Sequence, residues 1–382
     1  MIRVTDKSRC SGCSACYSAC PHGAISMRPD ALGFKYPVVD GIKCTDCGLC
    51  DKVCVFGRPF PELKQPVAKA ARNIDEGSLM KSRSGAVFPA LAEYVISAGG
   101  VVYGAAMDAD FRVVHKRAAT MQEADAFRGS KYSQSDMGDV FEAVKADLKE
   151  GLMVLFSGTP CQVHGLRSYV PEKLRGRLVL VDIVCHGVPS PYVWRDYLKY
   201  QEESSGGKIS EVCFRDKNIY GWNSHKETYR IDGKLITDTS FTHLFAKDIM
   251  LRPSCNVCPY ADVKRVSDIT LGDFWGWQKA VPGFNDDNRG VSLVLISTAK
   301  GNDIFGQCGA ELEIRDVRLC DCMQPNLQCP SKAHKDTEAF AADYESKGLL
   351  YVMKRYGDKG WRYRVYSTYM NIKTTIKGWL KR

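Results

Sequence analysis

The cysteines near the N-terminus form two runs with identical spacing. They are Cys10, Cys13, Cys16 and Cys20, followed by Pro21, and then Cys44, Cys47, Cys50 and Cys54. Each run follows the pattern C-x2-C-x2-C-x3-C, which is typical of loops that bind 4Fe-4S clusters. Such short spacings let three thiolates of one loop reach three irons of a cuboidal cluster. The fourth cysteine, on a following helical turn, points towards the other cluster.

The two runs therefore predict two clusters that exchange their fourth ligands. The predicted ligands are Cys10, Cys13, Cys16 and Cys54 for cluster I, and Cys44, Cys47, Cys50 and Cys20 for cluster II. Zinc knuckles and disulfides are the alternatives, but zinc sites favour paired C-x2-C motifs with a longer gap. Val55 replaces the proline that follows the fourth cysteine of the pattern, and this departure leaves all eight ligands present.

Further along the chain, four cysteines could bind one more cluster. Cys161 and Cys185 follow short apolar runs that read as buried strands, and Cys255 and Cys258 form a C-x2-C pair. The alternative is that Cys161 and Cys185 are small buried apolar side chains, a common role of cysteine. Spacing alone leaves both readings open. The other cysteines lack ligand spacing and are expected to be structural thiols: Cys213, Cys308, Cys320, Cys322 and Cys329.

Three polar stretches combine hydrogen-bonding groups with aromatic residues or glycine. They span residues 129–135, 214–217 and 272–276. This composition suits a flat, anionic cofactor, although solvated surface turns would look the same. No G-x-G-x-x-G motif opens a helix, so the sequence does not predict a Rossmann dinucleotide site.

Alternating helical and extended patterns must position these residues. Residues 86–97 and 138–149 have the apolar spacing of helices, and short apolar runs such as 152–156 and 178–184 predict buried strands. The predicted fold is an α+β ferredoxin-like dicluster domain followed by a larger mixed α/β domain. The predicted organisation is a dicluster domain at 1–60, a linker at 61–66, the α/β domain at 67–335 and a basic, aromatic tail at 336–382.

Charge and cysteine content indicate the cellular compartment and the kinds of partner. The net charge is +9 over 382 residues, but residues 351–382 hold nine Lys or Arg and one Asp, so that segment accounts for +8. The remaining body is almost neutral, which argues against a nucleic-acid-binding core. The polar N-terminus and the 17 cysteines indicate the cytoplasm, where thiols stay reduced. The basic tail could also make peripheral contact with an anionic membrane, although a solvated terminus is the simpler reading.

Seven motifs occur in an order that resembles a known family. They are SGAVFPALAEYVISAGG, GSKYSQS, LFSGTPCQVHGL, VDIVCHGVPSP, FRDKNIYGW, LRPSCNVCPYA and DITLGDFWG. Together they are similar to the beta subunits of coenzyme F420 (deazaflavin) hydrogenases and dehydrogenases, here with an N-terminal ferredoxin domain. The CHG and GDFWG forms look like those of bacterial members, many of which do not use deazaflavin.

This resemblance implies an oxidoreductase with FAD and a third 4Fe-4S cluster. It assigns the third cluster to Cys161, Cys185, Cys255 and Cys258. The flavin site that it implies comprises Ser84, Gly85, Lys131, Tyr132, Gln134, Ser135, Gly158, Thr159, His186, Gly187, Lys217 and Asp273. His186, Lys131 and Lys217 are the catalytic candidates, since they could stabilise a reduced, anionic flavin or transfer a proton. His186 could instead be a hydrogen-bonded structural histidine.

The expected mechanism is an electron relay. A small-molecule hydride donor or acceptor meets FAD, and the clusters carry single electrons to or from a redox partner protein, either ferredoxin or a subunit of a complex. Two rivals remain: an electron-transfer subunit with no substrate of its own, and a flavin-free iron-sulfur scaffold or sensor. The substrate and the direction of electron flow do not follow from the sequence.

Overall fold

A computed structural model describes residues 1–57, 63–361 and 363. Its strands are β1 (Ile25–Pro29), β2 (Lys35–Val39), β3 (Val67–Asn73), β4 (Val101–Met107), β5 (Val113–Ala118), β6 (Val154–Gly158), β7 (Leu178–Ile183), β8 (Ile209–Cys213), β9 (Glu227–Ile231), β10 (Lys234–Asp238), β11 (Ile269–Asp273), β12 (Ser292–Ile296) and β13 (Leu312–Val317). Its α-helices are α1 (Ala15–Ser18), α2 (Leu49–Val53), α3 (Glu76–Lys81), α4 (Val87–Ser97), α5 (Met121–Ala124), α6 (Val140–Lys149), α7 (Pro160–Tyr169), α8 (Pro191–Ser205), α9 (Lys217–Tyr220), α10 (Ser240–Ala246), α11 (Trp277–Ala280), α12 (Ala299–Gln307) and α13 (Thr337–Arg355).

An eight-stranded mixed sheet forms the centre of the larger domain, in the order β13-β3-β12-β11-β7-β6-β4-β5. The four strands β11, β7, β6 and β4 run parallel, and antiparallel strands flank them on both sides. Strand β7 reads LVLVDI, and five of its six residues are buried, as expected for a strand covered on both faces. The carboxyl ends of β6, β7 and β11 therefore meet at one edge of the sheet.

Residues 1–57 form a small domain around the hairpin of β1 and β2. Two short helices, α1 and α2, carry the third cysteine of each run, Cys16 or Cys50, and each begins after a residue in the left-handed region, Ser14 (φ 65°) or Gly48 (φ 71°). Phe34 is fully buried and belongs to the same apolar cluster as Trp194 of α8. The mixed α/β architecture that follows this small domain confirms the predicted fold class.

The C-terminal region departs from the predicted organisation. Residues 336–382 were expected to form a tail, but the helix α13 buries Phe340, Val352 and Met353 in the core that surrounds Trp194. The helix is interrupted at Gly348 (φ 75°), and apolar residues on both sides of this break pack into the core. The predicted linker at 61–66 lies partly outside the described residues, as do residue 362 and residues 364–382 of the predicted tail.

Membrane insertion is not indicated by the helices. Within the described part of the chain, no helix is both long and apolar enough to cross a bilayer.

Candidate functional site

The four thiols predicted for cluster I line one cavity of about 280 Å³. Cys10, Cys13 and Cys16 come from the first loop, and Cys54 reaches the cavity from the end of α2. Burial raises the pKa of Cys13 to about 12 and that of Cys16 further, and the charges of neighbouring thiols act in the same direction. These thiols would be neutral without iron, and ligation by iron would remove their protons.

A second cavity is lined by the four thiols predicted for cluster II: Cys20, Cys44, Cys47 and Cys50. Two backbone amides point at these sulfurs, since the Ala24 amide donates to Cys20 Sγ and the Ile2 amide to Cys50 Sγ, both at 3.3 Å. Donors to sulfur are typical of iron-sulfur sites. The exchange of Cys20 and Cys54 between the two loops has the predicted form, and iron ligation by each residue stays a prediction.

The third cysteine set lies at the sheet edge where β6 and β7 end. Cys161 is in the first turn of α7, Cys185 follows β7, and Cys255 and Cys258 lie in and after the 3-10 helix Pro253–Val257. Burial raises the pKa of Cys255 to about 12 and that of Cys258 to about 11, and the charge of the Cys161 thiolate adds to both. Burial, followed by the other three thiols, raises the pKa of Cys185 well above its usual range. The fold therefore gathers all four.

Backbone geometry allows this approach. Gly187 has φ 142°, and a Cβ there would lie 2.9 Å from Leu251 Cδ1 and 3.3 Å from Cys255 Cβ. The Val188 amide donates to Cys255 Sγ at 3.4 Å. Within residues 1–57, 63–361 and 363, no group of three or more His, Cys, Asp or Glu side chains stands close enough together to hold a metal ion.

His186 makes hydrogen bonds with both ring nitrogens. Nε2 donates to Asp248 Oδ1 at 2.5 Å, and Nδ1 lies 3.4 Å from Asn326 Oδ1. The hydrogen bond to Asp248 raises the pKa of the imidazole above its usual range. His186 is thus anchored beside Cys185, and both partners favour its cationic form.

Three of the predicted flavin residues lie together. The Lys217 ammonium donates to three backbone carbonyls: Leu79 (2.5 Å), Arg289 (2.7 Å) and Ser84 (3.2 Å). Ser84 Oγ donates to the Val291 carbonyl at 2.7 Å, and a Cβ on Gly85 would lie 2.2 Å from the Ala71 carbonyl oxygen. These contacts fix the loop before α4. Burial lowers the pKa of Lys217 to about 7.

Asp273 lies beside this group. Its carboxylate pairs with Arg215 and accepts a hydrogen bond from Trp222 Nε1 at 2.9 Å. Arg83 is adjacent, and burial, followed by the charge of Arg215, lowers its pKa to about 10. Arg83 Nε is a buried donor without an acceptor among the described residues. Arg83, Arg215 and Lys217 therefore form a cationic site with one carboxylate, an environment that suits the phosphates of an anionic cofactor.

The predicted flavin residues from 131 to 159 are held by hydrogen bonds and by ring packing. The Lys131 ammonium donates to the Arg128 carbonyl at 2.8 Å, and burial lowers its pKa to about 7. Tyr132 packs on Phe245, with ring centroids 4.9 Å apart. Ser135 shares a buried hydrogen-bond network with His115, Gln162 and Thr159 beside Gly158.

Gln134 occupies a position that the sequence did not indicate. Its Nε2 donates to the Ser11 carbonyl at 2.8 Å, and its Oε1 accepts from Arg252 at 2.9 Å. The side chain therefore joins the cluster I loop to the larger domain. Arg83, Arg215 and Arg252 were not predicted as site residues. Arg215 lies inside a stretch that was singled out for its polarity, and Arg83 directly precedes Ser84.

Two parts of the chain match known protein families. Residues 9–57 match the 4Fe-4S dicluster domain family, and residues 152–318 match the family described as the C terminus of the coenzyme F420 hydrogenase/dehydrogenase beta subunit. An uncharacterised ferredoxin from Methanocaldococcus jannaschii is 35% identical over 66 residues, which make up 17% of this chain and 84% of that protein.

A solved structure also resembles the chain. It belongs to the xenon-derivatised F420-reducing nickel-iron hydrogenase complex from Methanosarcina barkeri, with 20% identity and a TM-score of 0.47, covering 79% of this chain and 97% of that one. This likeness is too weak to carry an argument.

Proposed function

Because the chain belongs to the coenzyme F420 hydrogenase/dehydrogenase beta-subunit family and carries a 4Fe-4S dicluster domain, we propose that it is an iron-sulfur flavoprotein oxidoreductase. It relays electrons between FAD and three 4Fe-4S clusters. Clusters I and II have the ligands assigned above, and the third is held by Cys161, Cys185, Cys255 and Cys258. FAD, when bound, supplies the exchange between two-electron and one-electron chemistry.

The observation that carries this proposal is the close approach of the third cysteine set to cluster I. Helix α7 holds Cys161 in its first turn, and a Cβ on Gly165 of the same helix would lie 2.8 Å from Cys13 Sγ. Burial is the main cause of the raised pKa of Cys13, and the charge of Cys161 adds to it. Electron carriers this close together form one electron-transfer path, and cluster II lies at the outer end of this path.

The flavin part of the proposal is supported by the cationic site at Arg83, Arg215 and Lys217. Arg83 Nε, which has no acceptor among the described residues, is available to an anionic group, and Arg215 and Lys217 beside it are held by Asp273 and by backbone carbonyls. Lys131, with a pKa lowered by burial to about 7, could hold or release a proton near neutral pH. His186 would act as a fixed cation beside the third cluster.

The proposal includes a small-molecule hydride donor or acceptor, a one-electron partner such as ferredoxin, and a cytoplasmic location. The outer end of the path supports a protein partner, since Cys47 at cluster II is exposed. The side chain of Ile42, three residues before Thr45 in the same loop, is 99% exposed. A partner could therefore approach this cluster closely.

The test is to purify the protein anaerobically and to quantify iron, sulfide and flavin together. We expect about twelve irons and about one FAD per chain, since each cubane holds four irons. A double variant, Cys255→Ala with Cys258→Ala, is expected to lose about four irons. The matched control is Cys308→Ala, which removes a buried thiol that donates to the Ile304 carbonyl and should keep all iron.

Two results would contradict the proposal. If the wild type held about eight irons and the double variant held the same number, the protein would have no third cluster. Full iron content without released flavin would leave an iron-sulfur electron carrier with no substrate of its own.

A further inference from the structure

Arg252 is a buried cation at the contact between the small domain and the sheet domain. Its side chain is 1% exposed and lies 4.3 Å from the Tyr36 ring centroid. Within the part of the chain that the structure describes, no carboxylate lies at ion-pair distance from its guanidinium, whereas the buried Arg215 and Arg265 pair with Asp273 and Asp182. Arg252 is thus unusual among the buried arginines.

The guanidinium makes three hydrogen bonds, to the cluster I loop, to the start of β2 and to Gln134 of the larger domain. Nε donates to the Cys10 carbonyl at 2.7 Å, Nη2 to the Lys35 carbonyl at 3.0 Å, and Nη1 to Gln134 Oε1 at 2.9 Å. Nη2 also lies 3.6 Å from Cys10 Sγ. All these acceptors are uncharged, except that Cys10 would be a thiolate when it binds iron.

Gly12 makes room for this contact. A Cβ at that position would lie 2.8 Å from Arg252 Nη1, and its φ of 67° also favours glycine. The cluster I loop and the arginine are therefore fitted to each other.

The backbone of Arg252 also contacts the third cysteine set. Its carbonyl accepts a hydrogen bond from the Cys255 amide at 2.9 Å at the start of the 3-10 helix. Burial raises the pKa of Cys161 and of Cys255, and the charge of Arg252 opposes this on both thiols. The same cation therefore acts on ligands of two predicted clusters.

A buried cation without a counter-charge is unfavourable in a low-dielectric interior. A cluster held by four thiolates carries net negative charge, and hydrogen bonds to its sulfurs raise its reduction potential. The two cysteine sets around Arg252 would supply the missing counter-charge once they hold iron.

We propose that Arg252 is a positioning residue that holds cluster I against the third cluster and supplies a counter-charge shared by both. This inference rests on the proposed function. Its positive charge favours the reduced state of each neighbouring cluster, because reduction adds an electron. Its hydrogen bonds to Cys10 keep the two clusters at a fixed separation for electron transfer.

The test is an EPR-monitored redox titration of the anaerobically purified holoprotein. In Arg252→Gln, which removes the charge, the ratio of reduced to oxidised cluster I at a fixed ambient potential should fall on the order of tenfold. Arg252→Lys, which keeps the charge, should stay close to the wild type. Arg117→Gln is the control, since it also removes a guanidinium, but one that pairs with Asp147.

Each outcome has a defined meaning. If Arg252→Gln fails to retain iron while Arg252→Lys retains it, the counter-charge role is supported. If the two variants behave alike, or if Arg252→Gln keeps full iron with an unchanged titration, the inference is overturned. A wild type with no third cluster would instead contradict the proposed function, and the iron content of the wild type separates the two failures.

Discussion

At the scale of single residues, Glu227 shows how the fold sets a protonation state. This residue lies at the start of β9, and its side chain is fully buried. Tyr197 donates to Oε1 at 3.2 Å, and Thr242 donates to Oε2 at 2.9 Å. Burial raises the pKa of Glu227 to about 8. The carboxyl is therefore protonated in the native state at neutral pH, and it is ionised in the unfolded chain.

This difference predicts a pH-dependent stability. Between pH 4.5 and about pH 8 the native state binds a proton that the unfolded state has lost, so stability falls as pH rises through this window. Glu227→Gln removes the titration, and above pH 8 it should stabilise the protein by as much as about 5 kcal/mol. Urea unfolding of the holoprotein between pH 6 and pH 9 measures the effect.

The control for this prediction is Glu211→Gln on the neighbouring strand β8. The Glu211 side chain is 65% exposed and pairs with Arg230. In Glu211→Gln, the free energy of unfolding should change with pH as steeply as it does in the wild type. If the free energy of unfolding of Glu227→Gln also changed with pH as it does in the wild type, Glu227 would not be the group that titrates.

At the scale of elements, helix α7 brings the two domains together. Gly165 lies where this helix meets the cluster I loop, and a Cβ there would lie only 2.8 Å from Cys13 Sγ. Gly306 in helix α12 is the opposite case, since a Cβ there meets no atom within 4 Å. The two helices thus offer a matched pair of glycines.

Replacing each glycine by alanine should have opposite effects. Gly306→Ala should stabilise the protein by about 0.5–1 kcal/mol, the usual gain from removing a helical glycine. Gly165→Ala should destabilise it by about 1–3 kcal/mol, because α7 must move away from Cys13. Thermal unfolding and the EPR spectrum of cluster I measure both effects. An unchanged spectrum together with a gain in stability for Gly165→Ala would mean that the helix and the loop are not in contact.

The elements also explain how much of the site the sequence could predict. The ligands of clusters I and II are local in sequence, so their spacing defines them. Cys161 and Cys185 follow neighbouring parallel strands, so their meeting at one sheet edge was also foreseeable. A 3-10 helix brings Cys255 to this site, and no periodic pattern in the sequence predicts that helix. Gln134 and Arg252 act through packing between domains, which leaves no local signal.

At the scale of the whole molecule, the two domains differ in how they are stabilised. The sheet domain has extended apolar clusters on both faces of its central strands. The small domain at residues 1–57 has only eight buried apolar residues around two cavities that the clusters would fill: Ala15, Ala24, Ile25, Leu32, Phe34, Tyr36, Cys50 and Val55. Domains of this size commonly depend on a metal for folding.

Removal of iron should therefore unfold the two domains unequally. After chelation, we expect proteolysis to cleave within residues 1–57 first, while amides of β7 and β12 keep their protection from hydrogen exchange. The double variant Cys255→Ala with Cys258→Ala separates the contribution of the third cluster from that of clusters I and II. It retains clusters I and II, so its small domain should stay resistant to proteolysis. If chelation opened the sheet strands as readily as the N-terminal domain, the packing of Arg252 and α7 against the cluster I loop would be holding both domains as one cooperative unit.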